Sequence, residues 1–406
     1  MKRYFLGMAA GYRWKDIFRH TFAVGGEKDR DLLCQYLNKR YGGETILCKN
    51  GRSALGLALK AYFEPGDAVI VNGFTCYAVF EAIKAAGLTP IFVDISQEDL
   101  NFDVVALGKL NTSHSGPRRS RPSPRGSRAK SRAAALRNAP NETLLSLPIR
   151  GIIVQNSLGN PADIVAIEKL AKKYDLTIIE DMAHCVGVKY ADGRECGTVG
   201  VAAAFSFGKD KVIDTVSGGA VVFREPAKHK IELPNLRPRP SDHLRARFYP
   251  LFGGICRSLT AVHLGGLLMR GLVKIHWVEK SADNRLDFRR VISGFEAKLA
   301  LRQFEALSHN KKQPIREFCL INNRNEVLKK LAKAGYYLDG LWYKQPVSPE
   351  RYYKKVHFPE EKCKTAVYVA KHIINLPTNY GEKATRKAKQ IIKPYLVKGG
   401  SVEQPS

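Results

Sequence analysis

The sequence predicts an α/β protein, with a mainly parallel central sheet in a large lobe and a smaller C-terminal α+β lobe. Three observations lead there. Between residues 51 and 223, short continuous apolar runs alternate with stretches of helical period, and strands that are apolar on both faces belong to a parallel sheet covered by helices. The 406 residues suffice for a large core, and 44% hydrophobic with 26% charged residues is a globular balance. From residue 293 onward helical patterns dominate, around an extended aromatic segment at Leu341-Trp342-Tyr343 and a final strand at Ile373-Ile374-Asn375-Leu376-Pro377.

In chain order, Leu55, Leu59 and Phe63 give residues 53–63 a helical period, Glu64-Pro65-Gly66-Asp67 ends it, and Ala68-Val69-Ile70-Val71 reads as a buried strand. The unit repeats with a helix over 77–86, Gly87 at its C-cap, and the strand Ile91-Phe92-Val93-Asp94. Strands follow at Ile152-Ile153-Val154, Thr177-Ile178-Ile179, 202–205 and Ala220-Val221-Val222-Phe223, with a helix over 164–174.

Two segments break the pattern. Residues 111–132 are rich in Ser, Pro and Arg, and are expected to form a disordered, solvated insertion, with a polyanion-binding arm as the alternative. Residues 248–278 are apolar apart from Arg257, Arg270 and Lys274. They read as a helical hairpin packed on the main lobe or on a subunit partner, or as a helix lying in a membrane interface. The division expected is a large lobe over 1–240, a helical amphipathic insertion over 241–290, a small lobe over 291–398 and a disordered tail over 399–406.

A net charge of +28 suits nucleic acid, anionic lipid or a polyphosphate-bearing substrate, and its sign does not choose among them; no specific nucleic-acid partner is expected. The eight cysteines form no CxxC pair, which points to thiols in a reducing compartment and to no metal site. The opening Met1-Lys2-Arg3-Tyr4-Phe5-Leu6 resembles a signal peptide, but Arg13, Lys15, Asp16 and Arg19 interrupt the apolar region. No run reaches the ~18 apolar residues of a membrane span. A cytoplasmic location is expected, with membrane-peripheral contact through 248–278 as the alternative.

The chemistry concentrates in two segments. Ile178-Ile179-Glu180-Asp181-Met182-Ala183-His184 ends an apolar strand in a carboxylate, and Phe205-Ser206-Phe207-Gly208-Lys209-Asp210-Lys211 delivers a hydroxyl and two lysines. Together they offer a partner for a pyridinium nitrogen, a phosphate ligand and a Schiff-base amine, which is the protein side of pyridoxal phosphate (PLP) chemistry. The Gly51-Arg52-Ser53 turn opens a helix whose amides and dipole suit a phosphate, though an ordinary cap by Asn50 or Ser53 explains the same residues. Without a cofactor, Asp181 would be a strand-end helix cap, His184 structural and Lys209 surface charge.

In order and spacing these segments resemble the DegT/StrS family of PLP-dependent sugar aminotransferases. The resemblance runs through Asn50-Gly51-Arg52-Ser53-Ala54-Leu55, Pro65-Gly66-Asp67, Phe74-Thr75, Pro90-Ile91-Phe92-Val93-Asp94 and Asn156-Ser157-Leu158-Gly159-Asn160-Pro161-Ala162-Asp163. It continues through Glu180-Asp181-Met182-Ala183-His184, Phe205-Ser206-Phe207, Lys211, Gly218-Gly219-Ala220 and Asn375-Leu376-Pro377. It implies a fold-type-I transferase working as a homodimer with shared active sites, and amino transfer from glutamate to a nucleotide-linked keto-sugar. Lys211 would carry PLP and act as general acid and base, with Lys209 the competitor. Asp181 would face the pyridinium, Ser206, Gly51, Arg52 and Ser53 the phosphate, and His184 the ring.

The chain also departs from that pattern. Cys76, with Tyr77 beside it, stands where many relatives stack an aromatic residue on the cofactor, and Arg52 replaces a threonine. The loop from Lys211 to Gly218 is shorter by one residue, and Asn284 and Arg285 are the candidates for a loop reaching the partner subunit's site. The alternatives are a sugar dehydratase of the same family, against which Lys211 argues because dehydratases carry His there, and a non-catalytic PLP-binding regulator or membrane-peripheral protein.

Overall fold

The computed structural model describes residues 4–5, 12–110, 148–259, 264–278, 285–307, 315–338, 341–378 and 382–397. The expected disordered segments 111–132 and 399–406, and Asn284, lie outside the described residues.

Seven strands form the central sheet: β1 (Glu44–Cys48), β2 (Ala68–Asn72), β3 (Thr89–Val93), β4 (Ile149–Gln155), β5 (Thr177–Asp181), β6 (Ala202–Ser206) and β7 (Gly219–Phe223). Their spatial order is β1-β7-β6-β5-β4-β2-β3. β7 runs antiparallel to both neighbours, and every other pairing is parallel.

Because side chains alternate across a strand, neighbours such as Ile178 and Ile179 enter cores on opposite faces of the sheet. One core takes Val69, Val71, Ile153, Ile179 and Val221 with Leu55 and Leu59 of helix α3 (Gly51–Tyr62). The other takes Ile70, Ile152, Val154, Phe205 and Val222 with Leu33 and Leu37 of α2 (Glu27–Tyr41) and Ile164 and Ile167 of α5 (Ile164–Lys173). Double-sided burial is why these strands read as unbroken apolar runs. β1, an edge strand buried only toward its end, lacks that signature and was not foreseen.

In the small lobe, Arg316–Leu320 pairs antiparallel with Ile373–Pro377, in a register that sets Phe318 opposite Asn375. The lobes are stitched where Val347–Ser348 pairs in parallel with Thr75–Cys76, just before α4 (Tyr77–Ala85). Helix α8 (Gly294–Leu307), within the span expected for the small lobe, packs against α2. Its Ala297, Ala300 and Phe304 join the core of Leu33, Phe205 and Phe207, and the Phe304 ring lies 5.8 Å from that of Tyr36.

The segment between the lobes is helical, comprising α6 (Pro240–Ser258) and α7 (Gly265–Lys274). Tyr249, Cys256, Met269 and Leu272 pack with Ala23, Phe295 and Leu299, and α6 lies against α1 (Trp14–Thr21). No described helix is long and apolar enough to cross a membrane.

Candidate active site

Ligands of open α/β sheets sit beyond the carboxyl ends of the strands, and there β5 and β6 deliver their functional side chains. Glu180 and Asp181 point to opposite sides of β5. Glu180 is fully buried and accepts hydrogen bonds from the Tyr190 hydroxyl and the Gly197, Val199 and Gly200 amides at 2.7–2.8 Å. Its role is to fold the loop that follows. Asp181 turns into a cavity of about 320 Å³. Its Oδ1 accepts from the Ala183 amide at 3.0 Å and its Oδ2 from Gln155 Nε2 at 3.3 Å. Burial raises its pKa against the opposing pull of those hydrogen bonds and of Lys211. A carboxylate held this way is under-compensated, and a cation against it stabilises its charged form.

Lys211 lies in the loop after β6. Its Nζ stands 3.0 Å from His184 Nε2 and 4.9 Å from the centre of the Trp342 ring. Burial lowers its pKa, against the pull of Cys76 and Asp181. Lys209 also borders the cavity, but its Nζ lies 4.2 Å over the Tyr249 ring. His184 stacks on Trp342 at 5.1 Å, and its Nδ1 accepts the Leu158 amide at 3.3 Å.

That last bond fixes a tautomer. A backbone N–H only donates, so Nδ1 carries no proton and the neutral ring carries it on Nε2. Burial, then the charges of Lys211 and Arg316, hold the His184 pKa well below its usual value, so the ring is neutral. Nε2–H can therefore donate to Lys211 Nζ once that amine has shed its proton, a loss that burial favours by lowering the Lys211 pKa. The neutral amine is the form that adds to a carbonyl or takes a proton.

The third part is the start of α3. The Asn50 side chain caps the Ser53 amide at 2.8 Å, and the first amides of a helix point out of its N-terminal end. A Cβ at Gly51 would come within 2.5 Å of Ser206 Cβ and 2.8 Å of Ser206 Oγ, so glycine is what allows the turn to close on the serine. Gly51, Arg52 and Ser206 all line the cavity. A helix N-terminus, a hydroxyl, an under-compensated carboxylate and a lysine whose pKa burial lowers make a donor set that fits PLP.

Ser53 and Tyr77 fall away from the cavity wall. Ser53 Oγ accepts the Asp287 amide at 3.0 Å, and the Tyr77 ring stacks on that of Tyr352 at 4.3 Å. Cys76 lines the wall, where its Sγ caps the Ala78 amide at 3.5 Å. The Arg52 guanidinium forms an ion pair with Glu81. Arg285 is held through its carbonyl by Asn50 Nδ2 at 3.0 Å. Sequence reasoning missed Gln155, Trp342 and Tyr343 as wall residues. Asn375 holds two of the parts near Trp342, donating to its carbonyl at 2.8 Å and accepting from Arg316 at 2.9 Å.

A sequence model of the DegT/DnrJ/EryC1/StrS aminotransferase family matches residues 28–237, just over half of the chain. The chain belongs to this family. Among curated proteins it is 28% identical over 259 residues to GDP-perosamine synthase of Caulobacter vibrioides, covering 63% of this chain and 57% of that one. It is 25% identical over 359 residues to the UDP-N-acetyl-3-dehydro-alpha-D-glucosamine 3-aminotransferase of Acidithiobacillus ferrooxidans, covering 87% and 84%. Against the first of these the match spans little more than half of the relative's length.

Among solved structures, a family aminotransferase from Brucella abortus superposes with a TM-score of 0.60 at 19% identity, covering 94% of this chain and 93% of that one. A Streptococcus pneumoniae protein assigned as a sugar aminotransferase, in its PLP form, gives 0.59 at 15%, covering 95% and 98%. The α/β architecture, with its mainly parallel seven-stranded sheet, is thus the fold of these PLP aminotransferases.

Proposed function

We propose that this chain is a PLP-dependent aminotransferase that moves an amino group from glutamate to a keto-sugar carried on a nucleotide, working as a homodimer. The observation that carries the reading is Lys211 Nζ, set 3.0 Å from His184 Nε2 in a cavity that also holds Asp181. Membership of an aminotransferase family supports the reaction class. The nucleotide sugars in the names of relatives support the substrate class.

Bound PLP supplies an electron sink for the carbon that loses or gains a proton. The chain's own residues do the rest. The Gly51 and Arg52 amides with Ser206 Oγ hold the phosphate, and Asp181 holds the protonated ring nitrogen by charge. Lys211 Nζ attaches the cofactor at rest and moves the proton during transfer. His184 Nε2–H orients that amine, and Trp342 screens it from water. A second cleft, of about 960 Å³, adjoins the cavity through Lys49, Asp242 and Arg245 and is lined also by Lys60, Lys230, Arg239 and Arg289. Its cations suit the diphosphate of such a substrate.

The test is amine transfer from glutamate across a panel of nucleotide keto-sugars, run beside a Lys211→Ala variant. Turnover by the wild type and none by the variant is the outcome expected. A variant that turns over would sink the proposal, and a wild type that binds PLP yet transfers nothing would favour the regulator.

A further inference from the structure

Helix α7 is apolar on both sides. Gly265, Met269 and Leu272 are buried, the latter two in one cluster with Tyr249 and Cys256 of α6. Leu264, Leu267, Leu268 and Ile275, at helical spacing, are 37–63% exposed. Helix α1 does the same with aromatic residues. Ile17 and Thr21 are buried, whereas Trp14, Phe18 and Phe22 follow one another at intervals of four on the solvent side. Their ring centres lie 6.1 and 6.4 Å apart, and Phe22 is 72% exposed. Single exposed apolar side chains need no explanation, but stripes of them mark an interaction surface.

The charges select the occupant. α1 exposes Arg13, Lys15 and Arg19, and α7 exposes Arg270 and Lys274. The one acidic residue of the two helices, Asp16, lies 3.2 Å from Arg13. A symmetric contact with a second copy would set these cations against themselves. Anionic head groups above acyl chains match both the cations and the stripes. We propose that α1 and α7 form a docking surface for an anionic membrane, with Trp14, Phe18, Phe22, Leu267, Leu268 and Ile275 entering the boundary between head groups and acyl chains. Trp277, just past α7, lines the cavity that holds Asp181 and Lys211.

The test is co-sedimentation of the full chain with vesicles of phosphatidylcholine containing phosphatidylglycerol, and with phosphatidylcholine alone. Binding is expected to the anionic vesicles, and to weaken with salt. It should drop about ten-fold in Phe18→Ser/Phe22→Ser and in Leu267→Ser/Leu268→Ser, and by a smaller factor in Arg270→Gln/Lys274→Gln. All six positions face solvent, so the melting temperatures should match the wild type and separate lost binding from lost folding. A chain that stays in the supernatant at low salt overturns the proposal, as do apolar variants that bind like the wild type. Light scattering that finds a dimer split into monomers by the same substitutions, with vesicle binding unchanged, assigns the surface to a second copy and also overturns it.

Discussion

At the scale of single residues, the site turns on which atom of His184 carries its proton. The Leu158 amide claims Nδ1 and leaves Nε2–H for Lys211. Nitrogen-resolved NMR of the cofactor-free protein should show His184 bare at Nδ1 and protonated at Nε2. The signal should stay unchanged from acid-neutral to alkaline pH, because the ring's pKa lies well below its usual value. A proton on Nδ1 would refute the hydrogen-bond assignment.

Asp181, Ser206 and Lys211 were legible in the sequence because each sits at or just after the end of an apolar strand, where local pattern predicts position. Gln155, Trp342 and Tyr343 were not. Gln155 hides at the end of another strand, and the two aromatics come from the other lobe, brought over by the pairing of Val347–Ser348 with Thr75–Cys76. The aromatic run at 341–343 was visible, but nothing local says that it faces His184. Tyr77 fell the other way because α4 opens there, with Cys76 as its cap and Tyr352 as the ring's partner.

At the scale of elements, two short segments carry the chemistry: the α3 turn and the loop from Gly208 to Gly218. A methyl group at Gly51 meets the Ser206 backbone at 2.9 Å as well as its side chain. Gly51→Ala should therefore weaken PLP binding by at least about ten-fold, or ~1.4 kcal/mol, read by equilibrium titration, whereas an unchanged affinity would remove the phosphate from this turn.

The Lys211 loop is fastened by Asp214, which accepts the Asp210 amide at 2.9 Å and the Val216 amide at 2.8 Å and whose backbone is held by Gln303 at 2.9 Å. Burial, then the charge of Asp210, pushes its carboxyl up to about 7. A carboxyl whose folded pKa lies above its unfolded value contributes stability that is complete below the unfolded pKa and is lost as pH rises through the folded one. Melting temperature should thus fall between about pH 4 and pH 7. Asp214→Asn should flatten that fall, and an identical pH profile in the variant would contradict the assignment.

At the scale of the whole molecule, the sheet was readable because burial on both faces writes an unbroken apolar run into each inner strand. The edge strand Glu44–Cys48 escaped for the converse reason. The helical period of Gly294–Leu307 does not say which core it joins; Phe304 packs beneath the large sheet. The order β1-β7-β6-β5-β4-β2-β3 gathers the ends of β5 and β6 and the start of α3 at one cavity. A ligand that bridges these parts should stabilise them together. PLP at about 100 times its Kd should add about 2.7 kcal/mol to folding, seen as a raised melting temperature, and Asp181→Ala should abolish most of that gain.

The central claim is that Lys211 is the amine that carries PLP. Borohydride reduction of the PLP-loaded protein, followed by peptide mapping, tests it most directly. The account predicts a pyridoxyl adduct on Lys211; an adduct on Lys209, or on neither lysine, would contradict it.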